Sequence, residues 1–351
     1  MTPVYDLTLA KLQELCQQAG VKELHADRLN AWLFRYGNRE LSALADLPSP
    51  LVDLLAKRVS SELPPLLQRQ NSADGSSKYL LRLAGGEQVE TVIIPGDGRI
   101  TQCISSQAGC ALGCRFCLTA TGGLRRNLQC GEMVAQLLTG WQESGQRARN
   151  VVLMGMGEPM HNFTEVAKFV HLVTDPAGFA FSPRHVTLST VGVVPGIERM
   201  IAERLPCNLA VSLNATTDAV RDHIMPINRK YPIARLLAVM RHFAQTFPKR
   251  RILVAFVLLA GVNDSITDAQ RLVQLLQDIP CTINLLPFNP WSGAEWQRPD
   301  EAVVSRFRAL LSEAGLVAVV REARGVDIDA ACGQLLRRDY GDSGLQGVEH
   351  G

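Results

Sequence analysis

Apolar residues recur at helical spacing through the first sixty residues of the chain. Leu9, Leu12 and Leu15 form one such run, and turn-forming residues separate it from the runs that follow. A surface helix buries one face in this way, so the pattern predicts a small helical domain over 1–62. The next segment, 63–77, concentrates Pro, Ser, Gly and Asp, and this composition predicts a linker.

After the predicted linker, the pattern changes to short β-like runs. Three of them, over 79–83, 89–94 and 100–105, indicate a β-meander extension. Strand-like and helix-like segments then alternate through six units, which predicts an α/β fold with a parallel sheet covered by helices, either open or closed as a barrel. Because polar residues gather just after the strand ends, we expect a partial (β/α)6 barrel within 78–340, with its site at the carboxyl ends of the strands. The Gly-rich remainder, 341–351, is expected to form a flexible tail.

Composition narrows the class of protein. With 351 residues, 46% hydrophobic and 20% charged, the chain is neither disordered nor a small disulfide scaffold. Its longest near-continuous apolar run, 252–262, is too short for the roughly 20 residues of a membrane-spanning helix. The first twenty residues carry polar and charged groups where an export signal would be apolar, so we expect a cytoplasmic protein. The net charge of +2 neither requires nor excludes nucleic acid.

Three of the nine cysteines stand close together after a predicted strand. Cys110, Cys114 and Cys117 form a C-x3-C-x2-C motif in the segment GCALGCRFC. A structural zinc site usually has four protein ligands, and no fourth Cys or His lies at finger or ribbon spacing. An iron–sulfur cubane held by three cysteines keeps one iron without a protein ligand, where a substrate can bind. The motif therefore favours an iron–sulfur cluster and leaves zinc as an alternative.

The motif resembles that of the radical S-adenosylmethionine (SAM) superfamily, and the surrounding sequence is more specific. Nearly the whole chain looks like the RlmN/Cfr family of radical-SAM RNA adenine methyltransferases. The segments that carry the resemblance are ETVIIP at 90–95, TQCISSQAGCALGCRFC at 101–117, NVVLMGMGEPMHN at 150–162, HVTLST at 185–190, LLPFNP at 285–290 and DIDAACGQL at 327–335. Departures from the family pattern at 118–128, 212–215 and 324–327 leave open a divergent paralogue with another RNA target.

The resemblance implies two cofactors. Cys110, Cys114 and Cys117 would ligate a [4Fe-4S] cluster whose open iron takes the amino and carboxylate groups of SAM, with two SAM molecules used per turnover. A reducing partner such as flavodoxin would supply the electron that cleaves SAM to a 5′-deoxyadenosyl radical. The SAM-binding positions carried over from the family are Gly157, Glu158, Ser189, Ser212, Leu213, Asn214 and Asn289.

The resemblance also assigns three catalytic residues. Adenine C2 is an electron-poor carbon that cannot attack a sulfonium methyl group, so the family uses a radical route. Cys332 would carry the methyl group and deliver it as a methylene radical. Cys103 would then attack the Cys332 sulfur and release the product through a transient disulfide. Glu90 would accept the C2 proton. The implied product is 2-methyladenosine in 23S ribosomal RNA, with transfer RNA as a further substrate.

Two alternatives remain open on the sequence. The same chemistry could act at adenine C8 or on a different RNA. A non-enzymatic RNA-binding protein with a zinc-holding cysteine loop is the rival from another class. The basic pairs and triplet at 125–126, 249–251 and 337–338 are candidates for phosphate contact, and the alternative is that they are ordinary solvated surface charges. The sequence determines neither the oligomeric state nor the RNA-docking residues.

Overall fold

A computed structural model describes residues 1–37, 47–96 and 98–335 of the chain. The predicted tail at 341–351 lies outside these residues. The helices are α1 (Leu9–Gln18), α2 (Leu24–Asn30), α3 (Ser49–Arg58), α4 (Leu118–Thr121), α5 (Cys130–Ser144), α6 (Phe163–Thr174), α7 (Val194–Ala202), α8 (Asp218–Ile224), α9 (Ile233–Thr246), α10 (Ile266–Leu276) and α11 (Glu301–Glu313). The strands are β1 (Thr2–Pro3), β2 (Val59–Ser60), β3 (Leu66–Asn71), β4 (Ser77–Arg82), β5 (Gln88–Gly96), β6 (Arg99–Cys103), β7 (Gln107–Gly109), β8 (Leu124–Asn127), β9 (Asn150–Leu153), β10 (Val186–Thr190), β11 (Asn208–Ser212), β12 (Ile252–Leu258), β13 (Cys281–Pro287) and β14 (Ala318–Val320).

One large sheet follows the chain almost in sequence order. Among the described residues it has ten strands in the order β14-β13-β12-β11-β10-β9-β6-β5-β4-β3. The strands from β6 through β9 to β14 pair in parallel, and β3 to β6 pair antiparallel. The six predicted β/α units are present, and the short strand β14 follows the sixth. This is the predicted partial barrel with a meander extension, and β3 and β14 are its two edges.

The inner face of the parallel sheet is only partly covered. Residues of β12 and β13 alternate between buried and half-buried, and the half-buried set faces away from the helices. The register places Ala255 between Ser212 and Asn284 on this inner face. Parallel sheets are usually buried on both faces, so an incompletely covered inner face indicates an internal cavity that can admit a ligand.

The predicted linker at 63–77 is wrong in part, because it contains strand β3. Only the turn at 72–76 connects β3 to β4, and Asn71 pairs with Ser77 across it. The turn-forming residues between them produced the linker signal. Strand β3 lies at the sheet edge, and its half-buried and exposed residues have the polar character of an edge rather than that of a core strand.

The amino-terminal helices share one apolar core with the barrel. The Phe34 ring lies 5.1 Å from the Phe179 ring, and Arg147 Nη1 donates to the Arg35 carbonyl at 3.0 Å. Trp32 is half-buried against this core. In the part of the chain that is described, no helix combines the length and apolarity needed to span a membrane.

Candidate functional site

The three motif cysteines lie in the loop between β7 and α4, beyond the carboxyl end of β6. Cys110 and Cys114 are buried and Cys117 is half-buried. Burial raises the pKa of the Cys114 thiol, and negative charge on Cys117 and Cys110 raises it further, so the three sulfurs are close enough to affect one another. Gly109 approaches β8 so closely that a Cβ there would lie 2.0 Å from the Gly123 carbonyl oxygen.

The donor chemistry of these thiols fits an iron–sulfur cluster. Thiolate is the donor that the irons of a cubane take, and three cysteines in one loop lie close enough to influence one another. Three protein ligands leave one iron of a cubane free to bind a substrate. Cys110, Cys114 and Cys117 are therefore the residues that would hold a [4Fe-4S] cluster.

Glu158 is the buried carboxyl group beside this loop. Its Oε1 accepts from the Met160 amide at 3.0 Å and its Oε2 from the Val191 amide at 2.9 Å. Desolvation outweighs these hydrogen bonds and raises the pKa of Glu158 to about 7. The preceding Gly157 has φ +102°, and a Cβ there would lie 2.5 Å from the Cβ of Gln107 on β7. Glycine at this position therefore lets the Gly-Glu turn pack against the strand that leads into the cysteine loop.

The other predicted SAM-binding residues lie at the carboxyl ends of neighbouring strands. Ser189 is on the inner face of β10, opposite Ala210 of β11. Ser212 ends β11 and is followed by buried Leu213 and Asn214. Asn289 follows β13, where its Oδ1 accepts from Arg298 at 3.3 Å. The structure thus brings Gly157, Glu158 and these five residues to one edge of the sheet, the edge that also carries the cysteine loop.

Arg221 of α8 is a component of this edge that the sequence analysis missed. Its guanidinium is fully buried and donates to backbone carbonyls of residues around the SAM-binding positions. Nε reaches the Leu213 oxygen at 2.9 Å, and Nη2 reaches the Val191 oxygen at 2.6 Å. Nη1 donates to Asn228 Oδ1 at 3.0 Å. The only hint in the sequence is its position three residues before buried Ile224 on one helical face.

Glu90 and Cys103 lie on the same face of adjacent strands. Cys103 is opposite Val92 on β5, and Glu90 is two residues from Val92, so the side chains of Glu90 and Cys103 project to the same side. That side is the inner face, because the neighbouring Gln102 points the other way and donates to the Gln136 carbonyl on α5 at 2.7 Å. The predicted proton acceptor and resolving thiol therefore border one cavity.

Cys332 lies in the segment after β14, against the cysteine loop. The Leu118 amide donates to the Gly333 carbonyl at 2.7 Å. Cys332 is accessible to solvent, yet the protein around it raises the pKa of its thiol, as does negative charge on Cys117. Burial raises the pKa of Cys103 strongly, and negative charge on Cys332 raises it further. Cys332 is thus a neighbour of both Cys103 and the cysteine loop.

The β3–β4 turn is hydrogen-bonded to the segment that precedes Cys332. Asp327 Oδ1 accepts from Ser72 Oγ at 2.6 Å, and its Oδ2 accepts from the Ala73 amide at 3.1 Å. In return, Asp74 Oδ2 accepts from the Gly325 amide at 2.7 Å. Although desolvation opposes it, hydrogen bonds from Gly325 and Ser76 lower the pKa of Asp74 to about 2. We define residues 325–335, held by this reciprocal pair of carboxylates, as the carrier segment.

The basic runs found in the sequence lie in different places. Arg126 is paired with Glu132 at 2.7 Å and with Glu87 at 3.0 Å. Lys249 to Arg251 line a cavity of about 430 Å³ at the amino ends of the strands, together with Arg184. That cavity is at the opposite end of the barrel from the cysteines. The pair at 337–338 lies outside the described residues.

Comparison with known proteins agrees with this geometry. The model of the Radical SAM superfamily matches residues 104–273. The dual-specificity RNA methyltransferase RlmN of Rhodospirillum rubrum is 45% identical over 338 residues, which cover 94% of this chain and 79% of that protein. The chain belongs to the RlmN family. The RlmN protein of Pelobacter propionicus is 42% identical over 95% of this chain and 95% of its own.

A solved structure supports the RlmN family assignment. The radical SAM methyltransferase from Sphaerobacter thermophilus matches with a TM-score of 0.89 and 39% identity, over 95% of this chain and 99% of that one. The family resemblance and the fold class predicted from the sequence are therefore confirmed. Membership of a radical-SAM family implies a [4Fe-4S] cluster and SAM as cofactors.

Proposed function

We propose that the chain is an RNA methyltransferase that converts adenosine to 2-methyladenosine through a methyl group carried on Cys332. The observation that carries this proposal is the neighbourhood of Cys332. One accessible thiol adjoins the cluster cysteines on one side and Cys103 on the other. Glu90 faces the same cavity as Cys103. An ordinary methyltransferase, which transfers the methyl group directly, has no use for a second thiol beside the first.

The proposed sequence of steps assigns one task to each residue. Cys332 first takes a methyl group from one SAM. When bound, the cluster supplies the electron that cleaves a second SAM to the radical that removes a hydrogen atom from this methyl group. The carbon radical on Cys332 then adds to C2, and the adduct radical loses its C2 proton to Glu90 and returns one electron to the couple that supplied it. Cys103 attacks the Cys332 sulfur, so that a sulfur–sulfur bond forms, the carbon–sulfur bond breaks and its electron pair leaves with the carbon, which takes up a proton.

The environment of the residues suits these tasks. Burial raises the pKa of the Cys103 thiol, so Cys103 is protonated at rest and has to give up its proton as it attacks the Cys332 sulfur. The solvent-accessible Cys332 can meet a large substrate. External thiols must reduce the disulfide after each turnover, and a reducing partner such as flavodoxin must supply the electron. The proposed location is therefore the reducing cytoplasm.

The proposed substrates are 23S ribosomal RNA and, second, transfer RNA. The RlmN relatives are named dual-specificity RNA methyltransferases, and the aligned relatives cover nearly the whole chain. The half-covered inner face of the sheet gives an extruded base access to the site.

Analysis of modified nucleosides tests the proposal. Anaerobically purified protein is incubated with ribosomal or transfer RNA, SAM and a reductant, and digests are compared with 2-methyladenosine and 8-methyladenosine standards by mass spectrometry. We expect 2-methyladenosine, a methyl mark on Cys332, and loss of both in Cys332→Ala. Cys130→Ala, a half-buried cysteine outside the site, is the matched control. Only 8-methyladenosine would support the C8 alternative, and zinc without iron or sulfide would support the non-enzymatic one.

A further inference from the structure

Lys78 is a buried cation that neither the sequence motifs nor the proposed steps use. It lies on β4 opposite Val92, so it projects to the same inner face as Glu90 and Cys103. Its Nζ lies 3.0 Å from Glu90 Oε1, and both side chains are less than a tenth exposed. A buried ion pair contributes little net stability, since desolvation offsets the attraction. Stability alone therefore does not explain a buried ion pair beside the proposed reaction centre.

The same ammonium also holds the carrier segment. Lys78 Nζ donates to the Asp329 carbonyl at 3.1 Å. Asp329 has φ +50°, a left-handed turn conformation that aspartate adopts more readily than most residues. It lies three residues before Cys332, so a bond to its carbonyl acts close to the proposed carrier thiol. Lys78 thus bonds at once to the proposed proton acceptor and to the segment that presents the proposed methyl carrier.

We propose that Lys78 is a positioning residue that keeps Glu90 and Cys332 in register with each other. This inference rests on the proposed function for the roles of those two residues. One ammonium has three donor hydrogens, so it can hold the carboxylate and the carbonyl together. Its positive charge also lies 3.0 Å from the buried carboxylate that would accept the proton, so it holds that group by charge as well as by a hydrogen bond. The bridge fixes the acceptor relative to the carbon that Cys332 delivers, and small displacements of such groups are costly to rate.

Because Lys78 bonds to both Glu90 and the Asp329 carbonyl, substitutions in this bridge should affect turnover and the order of the carrier segment separately. A purely structural ion pair would not separate these two effects. In Glu90→Gln, Lys78 still holds the Asp329 carbonyl, so the carrier segment should stay ordered although turnover fails. In Lys78→Met, both partners are released. In Lys78→Arg, a cation with several donors remains and part of the function should return. The double variant Lys78→Met with Glu90→Gln also removes the buried carboxylate charge that Lys78 no longer balances, so it reports on the segment even if Lys78→Met alone folds poorly.

Hydrogen exchange of the holoenzyme without RNA, followed by mass spectrometry, tests the bridge directly. We expect residues 325–335 to exchange about tenfold faster in Lys78→Met and in the double variant, the factor expected for one lost hydrogen bond to a charged donor. Glu90→Gln should exchange at the wild-type rate. Lys168→Met, which removes an exposed lysine paired with Glu165, is the matched control and should change neither exchange nor turnover.

Turnover supplies the second measurement. We expect kcat for RNA methylation to fall by about a hundredfold in Lys78→Met, the low end of what proton transfer contributes, with unchanged RNA affinity and partial recovery in Lys78→Arg. Wild-type exchange of 325–335 in both Lys78→Met variants, or a kcat above half of the wild-type value, would overturn the inference. If wild type yields no 2-methyladenosine while Lys78→Met still loosens the segment, the proposed function fails but the bridge stands.

Discussion

Replacing Arg221 tests whether a buried guanidinium organises the carboxyl ends of the strands, where the predicted SAM-binding residues lie. In Arg221→Leu, the Leu213 and Val191 carbonyls and the Asn228 side chain each lose a donor at 3.0 Å or less. Hydrogen bonds from a charged donor contribute about 1.5–3 kcal/mol each, so roughly 5–9 kcal/mol is removed. Burial lowers the pKa of Arg221 to about 10, a cost of about 3 kcal/mol that leucine regains. The expected net loss in unfolding free energy is about 4 kcal/mol, within the range for breaking a buried charged network.

Urea unfolding of matched cofactor-free, reduced protein measures this loss as a shift in midpoint at constant slope. Arg221→Lys should be intermediate, because an ammonium lacks the planar fork that reaches several acceptors. Arg235→Leu, on the exposed side of α9 where the guanidinium lies 5.2 Å from the Tyr231 ring centre, is the control and should change the free energy by less than about 1 kcal/mol. SAM affinity should fall in Arg221→Leu, since Arg221 also holds the carbonyls of Ser212 and Leu213, two of the predicted SAM-binding residues. A loss below about 1 kcal/mol in Arg221→Leu would refute this account of the edge.

Three further predictions address the same site. Gly157→Ala should weaken SAM binding at least about tenfold in equilibrium dialysis, because the added Cβ would meet Gln107 at 2.5 Å. The control is Gly145→Ala, at φ +67° with open space around it, which introduces backbone strain without a steric contact. Equal effects of the two substitutions would contradict the role given to the contact between residue 157 and Gln107. Glu158 has its pKa raised to about 7 by burial, so between pH 4.5 and 7 the unfolded state ionises first and the cofactor-free protein should lose about 3 kcal/mol of stability as pH rises. Glu158→Gln should lack this pH dependence in urea unfolding, and parallel curves would disprove the assignment. Cys103→Ala should accumulate a covalent RNA–protein adduct at Cys332, visible on a denaturing gel, whereas free methylated RNA at the wild-type rate would exclude Cys103 as the resolving thiol.

The order of the elements could be predicted from the sequence because hydrophobic periodicity is a local property. The β-like runs predicted over 79–83, 89–94 and 100–105 agree with strands β4, β5 and β6 to within two residues at each end. Strand β3 could not be predicted, since its half-buried, polar residues lack the alternation of a core strand and a turn-rich segment follows it. Its existence depends on pairing with β4, which is a tertiary fact.

The site was predictable where chemistry depends on motif, and not where it depends on packing. Three cysteines in one short loop predict an iron–sulfur cluster whatever residues surround them. The importance of Lys78, Asp74 and Arg221 is different in kind, because each is an ordinary charged residue until the fold places it. Asp74 reaches Gly325 across 251 positions of sequence, and no local pattern reports a contact of that range. Buried charge with several backbone acceptors is the physical signature that only the structure reveals.

The carrier segment closes the side of the barrel that strands leave open. It departs from β14, one edge of the sheet, and is held by the β3–β4 turn at the other edge. A further strand there would fix the segment through a ladder of backbone hydrogen bonds. Instead, the Ser72, Asp74, Lys78 and Asp327 side chains hold it at separate points. Segments held in this way open at lower free energy than core strands. In the proposed reaction Cys332 meets SAM, the RNA base and Cys103 in turn, and attachment by side chains would give the thiol a freedom of movement that a paired strand would not.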